Sequence, residues 1–226
     1  MRRQVSLEEI SDGHLYGLND MVKADCGGCR GCSACCRGMG SSIVLDPLDV
    51  FRLMKNLGKT FEELVSGPLE LGVADGLILP SIKMKGPGEA CSFLDNDGRC
   101  QVHAFRPGIC RIFPLGRYYE NGGFSYFLQI HECRKENRTK VKVKKWIDTP
   151  EPKRYDQYIC DWHYFLEEME AKADGDAGQD GAVRKRICMD VLTRFYASPY
   201  QAKAEDMEGF FREFDERLKA AREALR

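Results

Sequence analysis

Apolar positions follow two rhythms along this chain, and the change falls near residue 154. After it, apolar side chains recur at helical spacing. Tyr158, Ile159, Trp162, Phe165, Leu166 and Met169 form one stripe. Val183, Ile187, Val191, Leu192 and Phe195 form a second over about 182–196, ended by Ser198-Pro199. Met207, Phe210, Phe211, Phe214, Leu218 and Leu225 form a third over about 201–225. Such stripes predict amphipathic helices with buried aromatic faces. Residues 171–181 carry no large apolar side chain and read as a mobile linker. Before 154 the apolar runs are short and broken by glycine and proline. A short helix is expected near 6–10 and a short strand over 41–45. Asp46 then caps a helix with Pro47 in its first turn and Gly58 at its C-terminus. Thr60-Phe61-Glu62-Glu63 is a capping box that opens another helix, stopped at Gly67-Pro68. Residues 76–84 read as a strand that Pro80 confines to an edge or a bulge. Asn121-Gly122 predicts a hairpin with strands near 111–119 and 124–131.

These patterns add up to an α+β fold: a cysteine-rich lobe with short strands and a hairpin, plus a C-terminal helical part. The expected division is an N-terminal segment over 1–25, a metal-binding domain over 26–153 and a helical region over 154–226. With 226 residues, 43% apolar and 31% charged, the chain can build one substantial core. A net charge of −1 argues against a general polyanion binder. No run of eighteen apolar residues exists, and the N-terminus lacks the apolar stretch of a signal peptide. The expected setting is therefore cytoplasmic, off the membrane, where thiols stay reduced.

That setting changes the meaning of the eleven cysteines. Five fall in Cys26-Gly-Gly-Cys29-Arg-Gly-Cys32-Ser-Ala-Cys35-Cys36. Two-residue spacers let the backbone fold round an inorganic centre so that neighbouring thiolates converge, and binding then becomes folding energy. The plainer alternative is a run of small buried cysteines or a disulfide knot, and chance clustering at this spacing is rare. A second set follows. Asp97-Gly98 is a hairpin-type turn that can fold Cys91 onto Cys100. Arg106 and Arg111 flank Cys110, where they could lower its pKa or bond metal-held sulfur; ordinary ion pairing is the alternative. Cys133 follows the hairpin and could return to the site from its far end.

Cys29-x-x-Cys32-x-x-Cys35-Cys36, then Cys91-x-Phe93-Leu94, Cys100 and Arg106-Pro107-x-x-Cys110-Arg111-x-Phe113-Pro114 resemble the CxxCxxCC cysteine-cluster family. It is also called the YkgJ-like zinc- or iron-chelating domain family, and flagellin lysine-N-methylase is a relative. The resemblance spans about residues 26–135. It implies Cys29, Cys32, Cys35, Cys36, Cys91, Cys100 and Cys110 as metal ligands, with Cys133 added. Cys26 lies outside the core motif.

The ligand chemistry admits a tetrahedral Zn2+ or an iron–sulfur cluster, [4Fe-4S] being the expected type. Adjacent side chains of an extended segment diverge, so Cys35 and Cys36 suggest two sites or two irons of a larger centre. That tips the expectation toward iron–sulfur. His103 and His131 are spaced to join a thiol but are expected to hydrogen-bond within the fold. Cys160 and Cys188 lie on apolar helical faces and read as packed thiols.

Three function classes follow. The first is a metal-binding protein whose cluster is structural or redox-sensing, consistent with the lack of a P-loop, G-x-G-x-x-G, paired-carboxylate or Ser/His/Asp signature. The second, implied only by the resemblance, is an S-adenosylmethionine-dependent protein lysine N-methylase. The third is a zinc protein with a nucleic-acid-binding segment. Residues 131–145 hold Arg134, Lys135, Arg138, Lys140, Lys142, Lys144 and Lys145 against Glu132 and Glu136, while 161–180 is acidic. The expectation is two solvated faces, or the two segments paired together, rather than a nucleic-acid site. A metal centre is the expected partner, with a protein partner left open.

Overall fold

The computed structural model describes residues 6–27, 32–175 and 181–225. The fold is α+β, with helices and short antiparallel strands in small sheets. Leu7–Ile10 (α1) is the short helix expected near 6–10, capped by the Ser6 hydroxyl. Ser11–Tyr16 (β1) and Met21–Asp25 (β2) are strands that the local pattern did not predict. Distant pairing makes them: β1 lies against residues 126–129 and β2 against 139–142.

Pro47–Leu57 (α2) has the predicted signals at both ends. Asp46 and Asp49 form a reciprocal capping box, and Gly58 closes the helix at φ +63°. Phe61–Val65 (α3) opens on the predicted Thr60–Glu63 box. Residues 41–45 differ from expectation: only an isolated bridge forms, Val44 to Ser81. Ile43 and Leu45 are buried and their backbone bonds go to Ile82 and Pro80, so this stretch is a lone rung beside a hairpin. That hairpin is Leu69–Ala74 (β3) with Leu77–Ile82 (β4). Pro80 sits in the outermost strand of a two-stranded sheet, the edge position its missing N–H requires.

Met84–Lys85 (β5) pairs with Ala90–Cys91 (β6). Gly108–Ile112 (α4) takes up residues expected to begin a strand; the hairpin proper is Leu115–Glu120 (β7) with Gly123–Gln129 (β8). Asn121 (φ +50°) and Gly122 (φ +77°) make its turn, as Asn-Gly predicts. The three-stranded sheet runs β1-β8-β7. Thr139–Lys142 (β9) pairs with β2 and runs into Val143–Ile147 (α5).

Pro152–Asp174 (α6) is longer than expected and absorbs the first residues of the predicted linker; 176–180 lie outside the described residues. Ala182–Leu192 (α7) continues into a wide turn over Thr193–Ala197. Met207–Ala224 (α8) starts six residues after the expected point, where Asp206 caps it through Gly209 N–H. No described helix is long and apolar enough to cross a membrane.

Two apolar clusters result. The larger joins α2, Phe93 and Val102 to the aromatic faces of α6, α7 and α8, with Phe165, Phe195, Phe210 and Phe214 wholly buried. Each such ring contributes about 1.5–3 kcal/mol. The smaller holds Val22, Ala24, Ile112, Leu115, Tyr126, Leu128, Val143 and Ile147 beneath the β2–β9 ribbon. α4 spans both: Ile112 belongs to the smaller cluster, and Ile109 and Cys110 pack on the larger.

Candidate metal centre

Three separate segments converge where α4 crosses between the clusters. The first is a tight turn, Ala34–Cys36. It is docked to β6 by an Arg37–Ala90 bridge and by Gly38 N–H donating to the Glu89 carbonyl at 3.1 Å. The second runs from Cys91 to Cys100. Asp95 closes its polar turn by accepting from the Asp97 and Arg99 amides, and a Leu94–Cys100 bridge brings the ends together. The Asp97-Gly98 turn thus folds as predicted, and Gly98 abuts Ser33 of the first segment.

The third segment is α4, which carries Cys110. Gly108 N–H donates to Asp49 Oδ1 at 2.7 Å, a buried bond across 59 residues of sequence. Asp49 thereby ties α4 to the start of α2 while completing the α2 capping box. Tyr158 extends the junction: its hydroxyl donates to Asp46 Oδ1 at 3.0 Å and accepts from Leu48 N–H at 2.9 Å. A Cβ at Gly108 would stand 2.3 Å from the Tyr155 hydroxyl, so only glycine allows this approach.

Cys32, Cys35, Cys36, Cys91, Cys100 and Cys110 all line one cavity of about 430 Å³. The rest of its wall is apolar, including Ile43, Ile82, Phe93 and Phe113, with Arg99, His103 and Arg106 also lining it. Cys32, Cys35, Cys36, Cys91, Cys100, Cys110, Cys133, Cys160 and Cys188 carry free thiols. Among the described residues, no three Cys, His, Asp or Glu side chains gather at ion-binding distance. The thiols therefore line the wall without meeting at one point. Cys29 lies outside the described residues. Cys133 is half-buried next to Glu132, which lines the cavity, but is not itself among the lining residues. Cys26 is half-buried beyond the end of β2.

The thiols are not electrostatically alike. Cys36 donates a hydrogen bond to Cys35, which lowers Cys35 to about 7, helped by the Arg106 charge and opposed by burial. The same bond and burial push Cys36 up. Burial raises Cys91, Cys100 and Cys110, and the Asp49 charge adds to the last. Asp46 and Asp49 are buried together, and desolvation raises both carboxyls. Cys35 is thus more readily ionised than Cys36, Cys91, Cys100 and Cys110, and those four need a cation to deprotonate.

Cys35 and Cys36 both face the cavity because they sit in a tight turn, not in the extended segment the spacing argument assumed. Arg106 lines the cavity, with Nη1 2.8 Å from His103 Nε2. His103 therefore hydrogen-bonds within the fold as expected, and His131 is exposed. Arg111 is buried and donates through Nη1 to the Asp148 carbonyl at 2.9 Å, its Nη2 has no hydrogen-bond partner, and it forms no ion pair among the described residues. Cys188 is a packed thiol that accepts from Ile78 N–H at 3.4 Å. Cys160 is half-buried on α6, away from the cavity. The functional residue that sequence reasoning missed is Asp49, whose only local signal was a helix cap.

A family model whose description reads "Putative zinc- or iron-chelating domain" matches residues 28–146, more than half of the chain. The chain belongs to the CxxCxxCC family. The match runs from the cysteine run past α4 and the hairpin to α5, so it takes in every segment that meets at the cavity. No curated protein and no solved structure matches the chain. Six thiols on one cavity wall suit this family description, because soft thiolates select zinc or iron–sulfur centres over magnesium or calcium.

Proposed function

We propose that this CxxCxxCC protein holds an iron–sulfur cluster, [4Fe-4S] in type, with ligands drawn from Cys29, Cys32, Cys35, Cys36, Cys91, Cys100 and Cys110, and with Cys133 at the edge. The observation that carries this reading is the cavity. A single tetrahedral zinc takes four ligands. Six thiols lining one cavity exceed that number and suit a centre of several irons. Both members of the Cys35-Cys36 pair face inward, which gives a cluster a choice of ligands on adjacent irons.

The sequence of loading follows from the thiol environments. Cys35, whose pKa is lowered, would offer a ready thiolate to a metal. Cys36, Cys91, Cys100 and Cys110 would need a metal's positive charge to deprotonate, and ligands from three segments would tie those segments together. The free thiols that line the cavity suit a reducing compartment, so we place the protein in the cytoplasm. A bound cluster would supply electron transfer or a redox-sensitive structural tie; the chain's own residues hold it and shield it with the apolar wall.

Anaerobic purification tests the reading. The expected product is brown, with broad visible absorbance, acid-labile sulfide matching its iron, and a paramagnetic signal on one-electron change of state. A colourless protein with stoichiometric zinc and no sulfide overturns it.

A further inference from the structure

The basic run at 131–145 was expected to be either solvated or paired with the acidic run at 161–180. Among the described residues no such pairing forms, and 176–180 lie outside them. Glu168 pairs with Lys172 and Arg222, Asp174 with Arg184, and Glu167 with His163. All the ion pairs recorded among the described residues join positions between 154 and 222. None involves Lys140, Lys142, Lys144 or Lys145.

The fold then gathers these cations. In the β2–β9 ribbon, Val22 and Ala24 are buried on the inner face. Met21 pairs with Lys142, and Met21, Lys23, Lys140 and Lys142 are exposed, so the three lysines share the outer face. Lys144 and Lys145 extend the patch on α5 and are exposed too. The platform is rigid: Val143 N–H donates to the Asp20 carbonyl at 3.0 Å, and Lys144 N–H to the Leu18 carbonyl at 2.9 Å. Trp146 anchors α5 from below by donating to the Ile112 and Phe113 carbonyls. The neighbouring acids are used locally, Asp20 accepting from Gly17 N–H and Asp25 from Gly27 N–H. Arg138, at the foot of the ribbon, holds a buried Nη1 without a hydrogen-bond partner.

We propose that the outer face of the β2–β9 ribbon, with Lys23, Lys140, Lys142, Lys144 and Lys145, docks on the phosphate backbone of double-stranded nucleic acid. Five unpaired ammonium groups on one two-stranded ribbon match a row of phosphates, and a ribbon of this width fits along a duplex groove. The exposed ribbon side chains include no aromatic ring on which a splayed base could stack, which favours a duplex over a single strand. With only phosphate contacts, binding is indifferent to base sequence. This inference stands apart from the identity of the metal.

The test uses the full, metal-loaded chain and a fluorescent 20-base-pair DNA duplex, read by anisotropy. Five phosphate contacts give a slope of log affinity against log salt of about −4.5, hence a loss of about 500-fold from 50 to 200 mM salt. The variant K140E/K142E/K144E should weaken binding at least thirtyfold at 50 mM salt and flatten the slope by about 3, one unit per lysine. K140Q/K142Q/K144Q should do the same without added negative charge. A charge-matched control, K153E/K203E/K219E on the helical part, should bind within threefold of the parent. Metal content and melting temperature of each variant verify folding. No measurable duplex binding at 50 mM salt, equal losses in ribbon and control variants, tighter binding to the single strand, or equal affinity for a polyglutamate peptide each overturns the proposal.

Discussion

In α6–α8 the side chains that hold the fold touch one another, whereas around the cavity the side chains that define the site line a wall. Trp162 meets Phe195 edge-on with centroids 4.9 Å apart, and Phe214 meets Tyr158 at 4.6 Å. Arg154, Arg194 and Arg222 tie the outer faces to acids. The cavity has no such closure. Four of its thiols come from a three-residue turn, a two-residue strand and a five-residue helix, elements too short to stand alone, and Cys32 and Cys100 come from the connecting segments. Burial pushes Cys91, Cys100 and Cys110, and the hydrogen bond to Cys35 followed by burial pushes Cys36, away from the charged form that would bind metal. The helical part is thus stable through its own contacts. If the thiol wall holds a metal as proposed, its closure comes from that metal and its local stability is coupled to loading.

Stripping the metal is the largest expected perturbation of that contrast. Exchange of amides over 89–113 should accelerate by more than a hundredfold, while amides over 158–169 and 210–218 keep their protection. Equal acceleration in both regions would show that the two are not held differently. Phe214→Ala attacks the other side. Losing a wholly buried ring costs about 3–5 kcal/mol, visible in urea unfolding, and metal content per folded molecule should not change.

The two regions also differed in how far local sequence foretold them. The helical part was legible because its apolar spacing records its own burial: Phe210, Phe211, Phe214 and Leu218 are both the stripe and the core. The caps at Asp46, Thr60 and Gly58 were legible for the same local reason. β1 and β2 were not, since their partners lie more than a hundred residues away. The strand expected from 111 was a helix because Gly108 N–H finds Asp49, a contact no local pattern contains. The thiols themselves were legible from spacing, and six of the eight candidates line one cavity. What spacing could not show was the turn that aims both Cys35 and Cys36 inward.

The junction between the regions is the next place to act. Asp49→Ala leaves the Gly108 and Asp46 amides without their acceptor, at a cost of about 2–3 kcal/mol. Metal affinity should fall as well, because α4 loses the bond that aims Cys110. Asp49→Asn keeps one acceptor and should recover part of both. The parent also has a pH signature. Raised carboxyl pKa values mean that the folded state holds more protons than the unfolded one between the ordinary carboxylate range and neutrality. Stability therefore falls as pH rises through that window, and Asp49→Asn should flatten the decline in melting temperature.

Within the cavity, loading of metal-free protein with zinc or cobalt should accelerate as pH rises through about 7, as Cys35 ionises. Cys36→Ala removes the hydrogen bond that stabilises the Cys35 thiolate, so the profile should move to higher pH. An unmoved profile would mean that another thiol receives the metal first.

The smallest expected effect marks where the metal centre ends. Cys133 belongs to the proposed ligand set by its place after the hairpin, yet only its neighbour Glu132 lines the cavity. A thiol at the rim can be replaced by a remaining ligand, because the wall offers six others. Cys133→Ser should then leave metal content within threefold of the parent, measured beside Cys110→Ser, which should lose roughly a hundredfold in affinity. Equal losses would place Cys133 among the essential ligands and carry the centre past the hairpin toward the lysine-rich ribbon. A negligible effect from both would leave the turn at Cys35-Cys36 and the Cys91–Cys100 segment as the whole of the site.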